Sequence, residues 1–198
     1  MRILAFSDLH RDLDQAARLT GMSEEADVVI GAGDFASIHQ GLEETIDALS
    51  GIDKPTILVP GNNETLDDLR RATADWDAAT VLHGESLEIE GQTFFGLGGG
   101  IPVTPWDWSF DLDEAQAESM LAGVPEGAVL VVHSPPKGHC DQAGNGMSLG
   151  SGAILKAIED SQPTLAVCGH IHEAWGQTSQ VGATRVANLG PGGTWFDL

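Results

Sequence analysis

Seven residues with metal-ligand chemistry recur in equivalent places along the 198-residue chain. Asp8 and His10 follow one short β-rich run, Asp34 follows a second and Asn62 a third, while His133, His170 and His172 follow two later runs. Two divalent ions about 3.5–4 Å apart need a bridging carboxylate, with neutral nitrogen and oxygen donors on either side. Histidine is the commonest ligand for borderline metals, and four of the seven histidines fall in these turns. Singly, each residue has an ordinary explanation. Asp8 could cap a helix, Gly33-Asp34 could be a turn, and His133 could be a satisfied core histidine. Gly169-His170-Ile171-His172 says more, because alternate side chains leaving a strand share a face. Together the seven read as a metal site.

Such residues need a scaffold that brings distant turns together. Arg2–Phe6, Asp27–Gly31 and Thr56–Val59 are apolar runs rich in Ile, Val and Leu, as expected of strands covered on both faces. Leu13, Ala16, Ala17 and Thr20, then Leu42, Thr45, Ile46 and Leu49, recur at helical spacing between them. Strand–turn–helix repetition implies a parallel sheet, whose ligands bind beyond the carboxyl ends of its strands. Ser86–Ile89 and Thr93–Leu97 read as a hairpin, Asp113–Leu121 and Ser151–Glu159 as helices, and Val129–Val132 and Thr164–Val167 as buried strands. Ala174–Thr178, Thr184–Ala187 and Thr194–Phe196 read as edge strands. No repeat or linker interrupts the chain. The expected fold class is α/β, a two-sheet sandwich flanked by helices, with residues 1–198 as one domain.

Composition narrows the partners. At 41% hydrophobic and 20% charged, the chain is globular in type. Thirty acidic against nine basic residues give a net charge of −21, which repels nucleic acid and anionic membranes and admits either simple solubility or adaptation to high salt. The run Met1–Phe6 is too short for a signal peptide and is broken by Ser7-Asp8, so a cytoplasmic protein is expected. Cys140 and Cys168 suit neither a disulfide framework nor a zinc finger, and Cys168 reads as a buried thiol.

The ordered set Asp8-Leu9-His10, Gly33-Asp34, Gly61-Asn62-Asn63-Glu64, His133 and Gly169-His170-Ile171-His172 resembles the calcineurin-like metallophosphoesterase superfamily. His133-Ser134-Pro135-Pro136-Lys137-Gly138, His172-Glu173-Ala174-Trp175-Gly176 and Asn188-Leu189-Gly190 are similar to its small MPPED-type branch. That branch also has a Trp-rich segment like Pro105–Phe110. The resemblance implies Asp8, His10 and His172 on one metal, Asn62, His133 and His170 on the other, and Asp34 bridging. It also implies a bridging hydroxide attacking phosphorus in line. Members use manganese, iron or zinc, and a ligand set without thiolates fits any of them.

One position departs from the pattern. Most of the superfamily has histidine where this chain has Asn63, and that histidine assists the leaving group. A carboxamide hydrogen-bonds but donates no titratable proton. Asn63, Asp34 and His133 are therefore the candidate catalytic residues, with altered efficiency or specificity expected from Asn63. Glu64 could orient Asn62 or cap the next helix. Candidate substrate contacts are Asn63, His39, Trp106 and Trp108. His39 follows Asp34 but could equally be an exposed loop residue. The tryptophans could stack on a nucleobase or pin their loop to the core. The expected substrate is a small phosphate ester, nucleotides included, with a diester favoured over a monoester. A non-catalytic metal- and nucleotide-binding scaffold is the alternative from another class.

Overall fold

In the computed structural model, which describes Met1–Leu198 throughout, the apolar runs form two mixed β-sheets packed face to face. The first has the strand order β11-β1-β2-β3-β4, built from Thr194–Asp197, Arg2–Phe6, Val28–Gly31, Thr56–Leu58 and Ala79–Val81. The second has the order β5-β6-β7-β8-β10-β9, from Glu85–Ile89, Gln92–Leu97, Val129–Val132, Leu165–Cys168, Thr184–Asn188 and Thr178–Val181. Strands β1–β4 run parallel, as do β6–β8, so one set of carboxyl ends emerges from each sheet.

Alternation along the strands explains the layering. Ile3, Ala5, Val28 and Ile30 turn inward and meet Val129, Val131, Leu165 and Val167 of the other sheet. Leu4, Phe6, Val29 and Leu58 turn outward, where Leu19, Ile46 and Leu49 cover them. These belong to helices α1 (Leu13–Met22) and α2 (Leu42–Leu49). Helices α4 (Glu114–Leu121) and α5 (Gly152–Ser161) bury Ala117, Leu121, Ile154 and Ile158 on Leu130, Val132, Ala166 and Cys168. Both faces of the central strands are therefore covered, which accounts for their unbroken apolar character. The expected helix-flanked sandwich is the observed one.

Several boundaries differ. Asp113 caps α4 instead of joining it, exchanging hydrogen bonds with Gln116 in a capping box. Helix α3 (Leu66–Ala72) and strand β4 carry too few apolar residues to stand out in the sequence. Ala174–Thr178 is not a strand. His172–Ala174 is a single 3-10 turn, Gly176 bends the chain at φ 76°, and pairing starts only at Thr178. Thr184–Asn188 is not an edge, because it pairs β8 on one side and β9 on the other. No helix is long and apolar enough to cross a membrane. Both cysteines are free and buried.

Candidate metal centre

All seven expected ligands converge beyond the carboxyl ends of β1, β2, β3, β7 and β8. Asp8, His10 and His172 form one group and Asp34, His133 and His170 a second, the ligand atoms of each lying within 4.8 Å of one another. Asp34 joins them. Its Oδ2 is 3.5 Å from His10 Nε2 and its Oδ1 is 3.4 Å from His133 Nε2. Asn62 Oδ1 completes the second group, 3.3 Å from His133 Nε2 and 3.1 Å from His170 Nδ1. His10 and His172 bring their Nε2 atoms to 3.1 Å.

These spacings test whether metals fit. Donors held about 2.0–2.1 Å from a common ion sit roughly 2.8–3.0 Å apart in octahedral geometry and roughly 3.3–3.4 Å apart in tetrahedral geometry. The separations around Asp34 and Asn62, 3.1–3.5 Å, lie close to this range, His172 Nε2 to Asp8 Oδ1 is wider at 3.9 Å, and the donors are all nitrogen and oxygen. The residues fit two divalent ions, and the chemistry does not distinguish manganese, iron or zinc.

A supporting shell aims each donor. His133 Nδ1 donates to the Ala32 carbonyl at 2.8 Å and His10 Nδ1 to that of Ala36 at 3.2 Å, leaving each Nε2 for the centre. Asn62 Nδ2 donates to Ser109 Oγ at 2.8 Å, and Ser109 donates to Asp111 at 2.6 Å, so the Asn62 oxygen must face the histidines. Asp8 accepts from Ser7 Oγ, from the His170 backbone and from Trp175 Nε1, the last at 3.0 Å. Trp175 also packs on the His172 ring, 4.3 Å between centroids. Ser7, Ser109, Asp111 and Trp175 escaped the sequence reading. Only Trp175, three residues after His172, carried a signal there.

The backbone is bent to make these contacts. Asp8, His10, Asp34 and His170 all have left-handed φ, between 45° and 68°, a costly conformation for non-glycine residues that clusters at functional sites. A methyl group on Gly61 would sit 2.0 Å from Asp34 Oδ1, and one on Gly169 2.5 Å from Asp8 Oδ2. These glycines let two turns approach the carboxylates.

Glu64 has a different role from either one expected. It is buried and accepts from the backbone N–H groups of Asp34, Ala36 and Gly61 at 2.8, 3.0 and 2.6 Å. It thereby clamps the loops after β2 and β3 together. Thr65 caps α3 instead, its Oγ1 accepting from Asp68 N. Burial and the Asp34 charge push the Glu64 carboxyl up to about 7 in the metal-free chain.

Asn63 is equally committed. Its Nδ2 donates to Asp34 Oδ2 and its backbone N–H to Asp34 Oδ1, at 2.8 and 2.9 Å, while its Oδ1 accepts from Ile38 N at 2.8 Å. Asn63 positions the Asp34 carboxylate while lining the cleft beside it. That cleft, of about 640 Å³, also contains Trp106 and Trp108 with His10, Asp34, Asn62, His170 and His172. His39 stands outside it, exposed, with its ring 2.6 Å from the Trp108 carbonyl. Phe110, half-buried, packs on the half-buried His83 ring instead of lining the cleft.

Protonation differs sharply between neighbouring rings. Burial opposes a charge on His133, but the Asp34 carboxylate overrides it and raises the ring to about 9. Burial also opposes ionisation of Asp34, yet His133, with His10 and His170, holds its carboxyl below the usual range. Burial, then repulsion from His133, pushes His170 down to about 4. A metal must therefore displace the proton of His133 but none from His170. At pH 7 metal uptake is expected to release about one proton, measurable by calorimetry in buffers of differing ionisation enthalpy. Affinity should rise with pH until about 9. Uptake of two ions with no proton release would refute this assignment. The same ion pair stabilises the metal-free fold fully below about 6.5, and that contribution is lost as pH rises through about 9.

A family model described as the calcineurin-like phosphoesterase superfamily domain matches residues 1–197. The chain belongs to the calcineurin-like phosphoesterase superfamily. Calcineurin-like phosphoesterases are divalent-metal-dependent phosphoric ester hydrolases, and the ligand groups described above fit that chemistry. A UPF0046 protein of Caenorhabditis elegans is 28% identical over 94% of this chain and 68% of its own length. Human metallophosphoesterase domain-containing protein 1 is 36% identical over 45% of this chain and 29% of its own length. The chain thus spans less than a third of the human relative. A Thermus thermophilus protein shares the fold, with a TM-score of 0.77 at 19% identity, covering 96% of this chain and 90% of that one.

Proposed function

We propose that residues 1–198 form one dinuclear-metal phosphoesterase domain, acting preferentially on small phosphodiesters inside the cell. The observation that carries this reading is Asp34, whose two carboxylate oxygens face His10 and His133 from between two ligand groups. Asp8, His10 and His172 would hold one ion; Asn62, His133 and His170 the other, with Asp34 shared. Bound, the ions would supply Lewis acidity toward phosphoryl oxygens and an activated water as nucleophile. Asp34 and Asn63 set the spacing, and Trp175 and Ser109 keep donors aimed. Two ions also bring about four positive charges to a chain of net charge −21, so an anionic ester can approach.

Diester preference is supported by the cleft lining, which holds no lysine or arginine for the second charge of a monoester, and leaving-group preference by the absence of a titratable acid at position 63. No proton donor stands there for a poor leaving group, and aryl or other activated esters need none. A panel of 4-nitrophenyl and alkyl mono- and diesters, run with manganese, iron and zinc, tests both points. Diester rates above monoester rates are expected. Inactivity of the metal-loaded chain across the panel would favour a non-catalytic binding scaffold. In the same panel Asn63→His is expected to raise turnover of alkyl esters by about 10²-fold, within the range for positioned acids, while aryl esters change little. Unchanged alkyl-ester rates with two ions bound would count against a missing acid.

A further inference from the structure

Beside the ligands lies a wall of exposed apolar side chains. Ile38 is 50% exposed, Val103 60%, Trp106 50% and Leu149 40%, and all four line the cleft containing His10, Asp34, Asn62 and His170. Trp106 stacks on Trp108 with ring centroids 5.4 Å apart and planes 10° from parallel, which leaves Trp106 half-exposed to solvent. The wall is held in place. Thr104 donates from both its backbone and its hydroxyl to Asp111 Oδ2, at 2.7 and 2.8 Å. Asp111 also accepts from the Ser109 that orients Asn62, and Phe110 N donates to the Asn62 carbonyl at 2.9 Å. The wall and a metal ligand are thus braced by the same loop.

The charges in the cleft are as telling as its shape. None of the nine lysines and arginines lines it, whereas Asp34 and Glu173 do. Two divalent ions contribute about four positive charges, and Asp8, Asp34 and Glu173 offset about three. The surplus of about one, cancelled once a hydroxide is bound, suits a monoanion better than a dianion. A second phosphate on the substrate would meet Glu173 and no cation.

We infer that this wall selects monoanionic phosphate esters with an uncharged aromatic substituent and rejects substituents bearing further phosphate. The inference rests on the phosphoesterase reading above. Apolar walls bind aromatic groups by burial and stacking, and each stacked ring improves affinity by roughly 5- to 150-fold.

Diphenylphosphinate and dimethylphosphinate have the same charge and no leaving group, so their binding reports the wall without any reaction. Calorimetry on the manganese-loaded chain is expected to give at least about tenfold tighter binding of the diphenyl compound. Trp106→Ala should collapse that ratio to about threefold or less, and Val103→Asp should reduce it by replacing an apolar wall group with a hydrated carboxylate. Both positions are half-exposed or more, so the fold should tolerate the changes. Equal binding of the two phosphinates by the parent chain would overturn the proposal, as would an unchanged ratio in Trp106→Ala.

The charge half is tested with thymidine 5′-(4-nitrophenyl phosphate) and its 3′-phosphorylated counterpart. The KM of the second should be about tenfold higher, and equal KM values would remove that half. Turnover of bis(4-nitrophenyl) phosphate, measured in parallel, separates the two readings. Phosphinate discrimination without turnover would leave the wall and remove the hydrolase, and turnover without discrimination would do the reverse.

Discussion

Asp34→Asn is expected to leave the chain unable to hold two ions and to lower phosphoesterase turnover on the order of a thousandfold. Losing an outer-shell partner of a metal costs roughly 10–100-fold, and Asp34 is proposed above as a ligand to both ions. The isosteric amide also disturbs the shell. Asn63 donates to each Asp34 oxygen, from its backbone to Oδ1 and from its side chain to Oδ2. An amide oxygen can accept only one of these bonds, and its NH₂ would confront the other donor. His133 then loses the carboxylate that holds it charged. Metal content after dialysis, by elemental analysis, and turnover of bis(4-nitrophenyl) phosphate measure the two effects. A variant that keeps two ions and a tenth of the parent rate would sink the bridging assignment.

Glu64→Ala should be the most destabilising substitution near the centre that touches no ligand side chain. It strands the N–H groups of Asp34, Ala36 and Gly61, at positions that are fully buried. Each buried donor without a partner costs about 1–3 kcal/mol, so a loss of about 3–9 kcal/mol is expected. That is a large share of the 5–15 kcal/mol typical of folded domains. Glu64→Gln should fall between the two, because its single oxygen can still serve Asp34 and Gly61 while its NH₂ opposes Ala36. Urea unfolding with chelator present separates this from metal-linked stability. A loss below about 1 kcal/mol for Glu64→Ala would mean that the clamp is replaceable by water.

Much of the ligand set was legible because ligation constrains both residue type and place. Asp8, Asp34 and His133 each end a strand whose apolar run is unmistakable, and the structure puts all three within one centre. His39 shows the opposite. It lies close to Asp34 in sequence, yet left-handed φ at Ile38 and His39 turns the loop so that its ring meets Trp108 outside the cleft. Asn63 was legible as an absence of histidine, but not as the holder of Asp34, because that role depends on the distance between two loops. Helix α3 and strand β4 were missed because their contacts, not their composition, stabilise them. Pairing with β3 makes Ala79–Val81 a strand, although none of its residues is fully buried.

By itself the sequence determined the order of strands and turns, the ligand types and the acidic periphery. Periodicity and residue chemistry are local properties, written every few residues. Tertiary structure alone decided that Asp34 faces two ligand groups, that Glu64 clamps two loops and that Trp175 supports Asp8 across 167 residues of chain. It also decided that apolar side chains and no cation line the cleft. These are consequences of where two twisted sheets bring their carboxyl ends together. Distances of about 3 Å between residues far apart in the chain are set by packing, which no local pattern encodes.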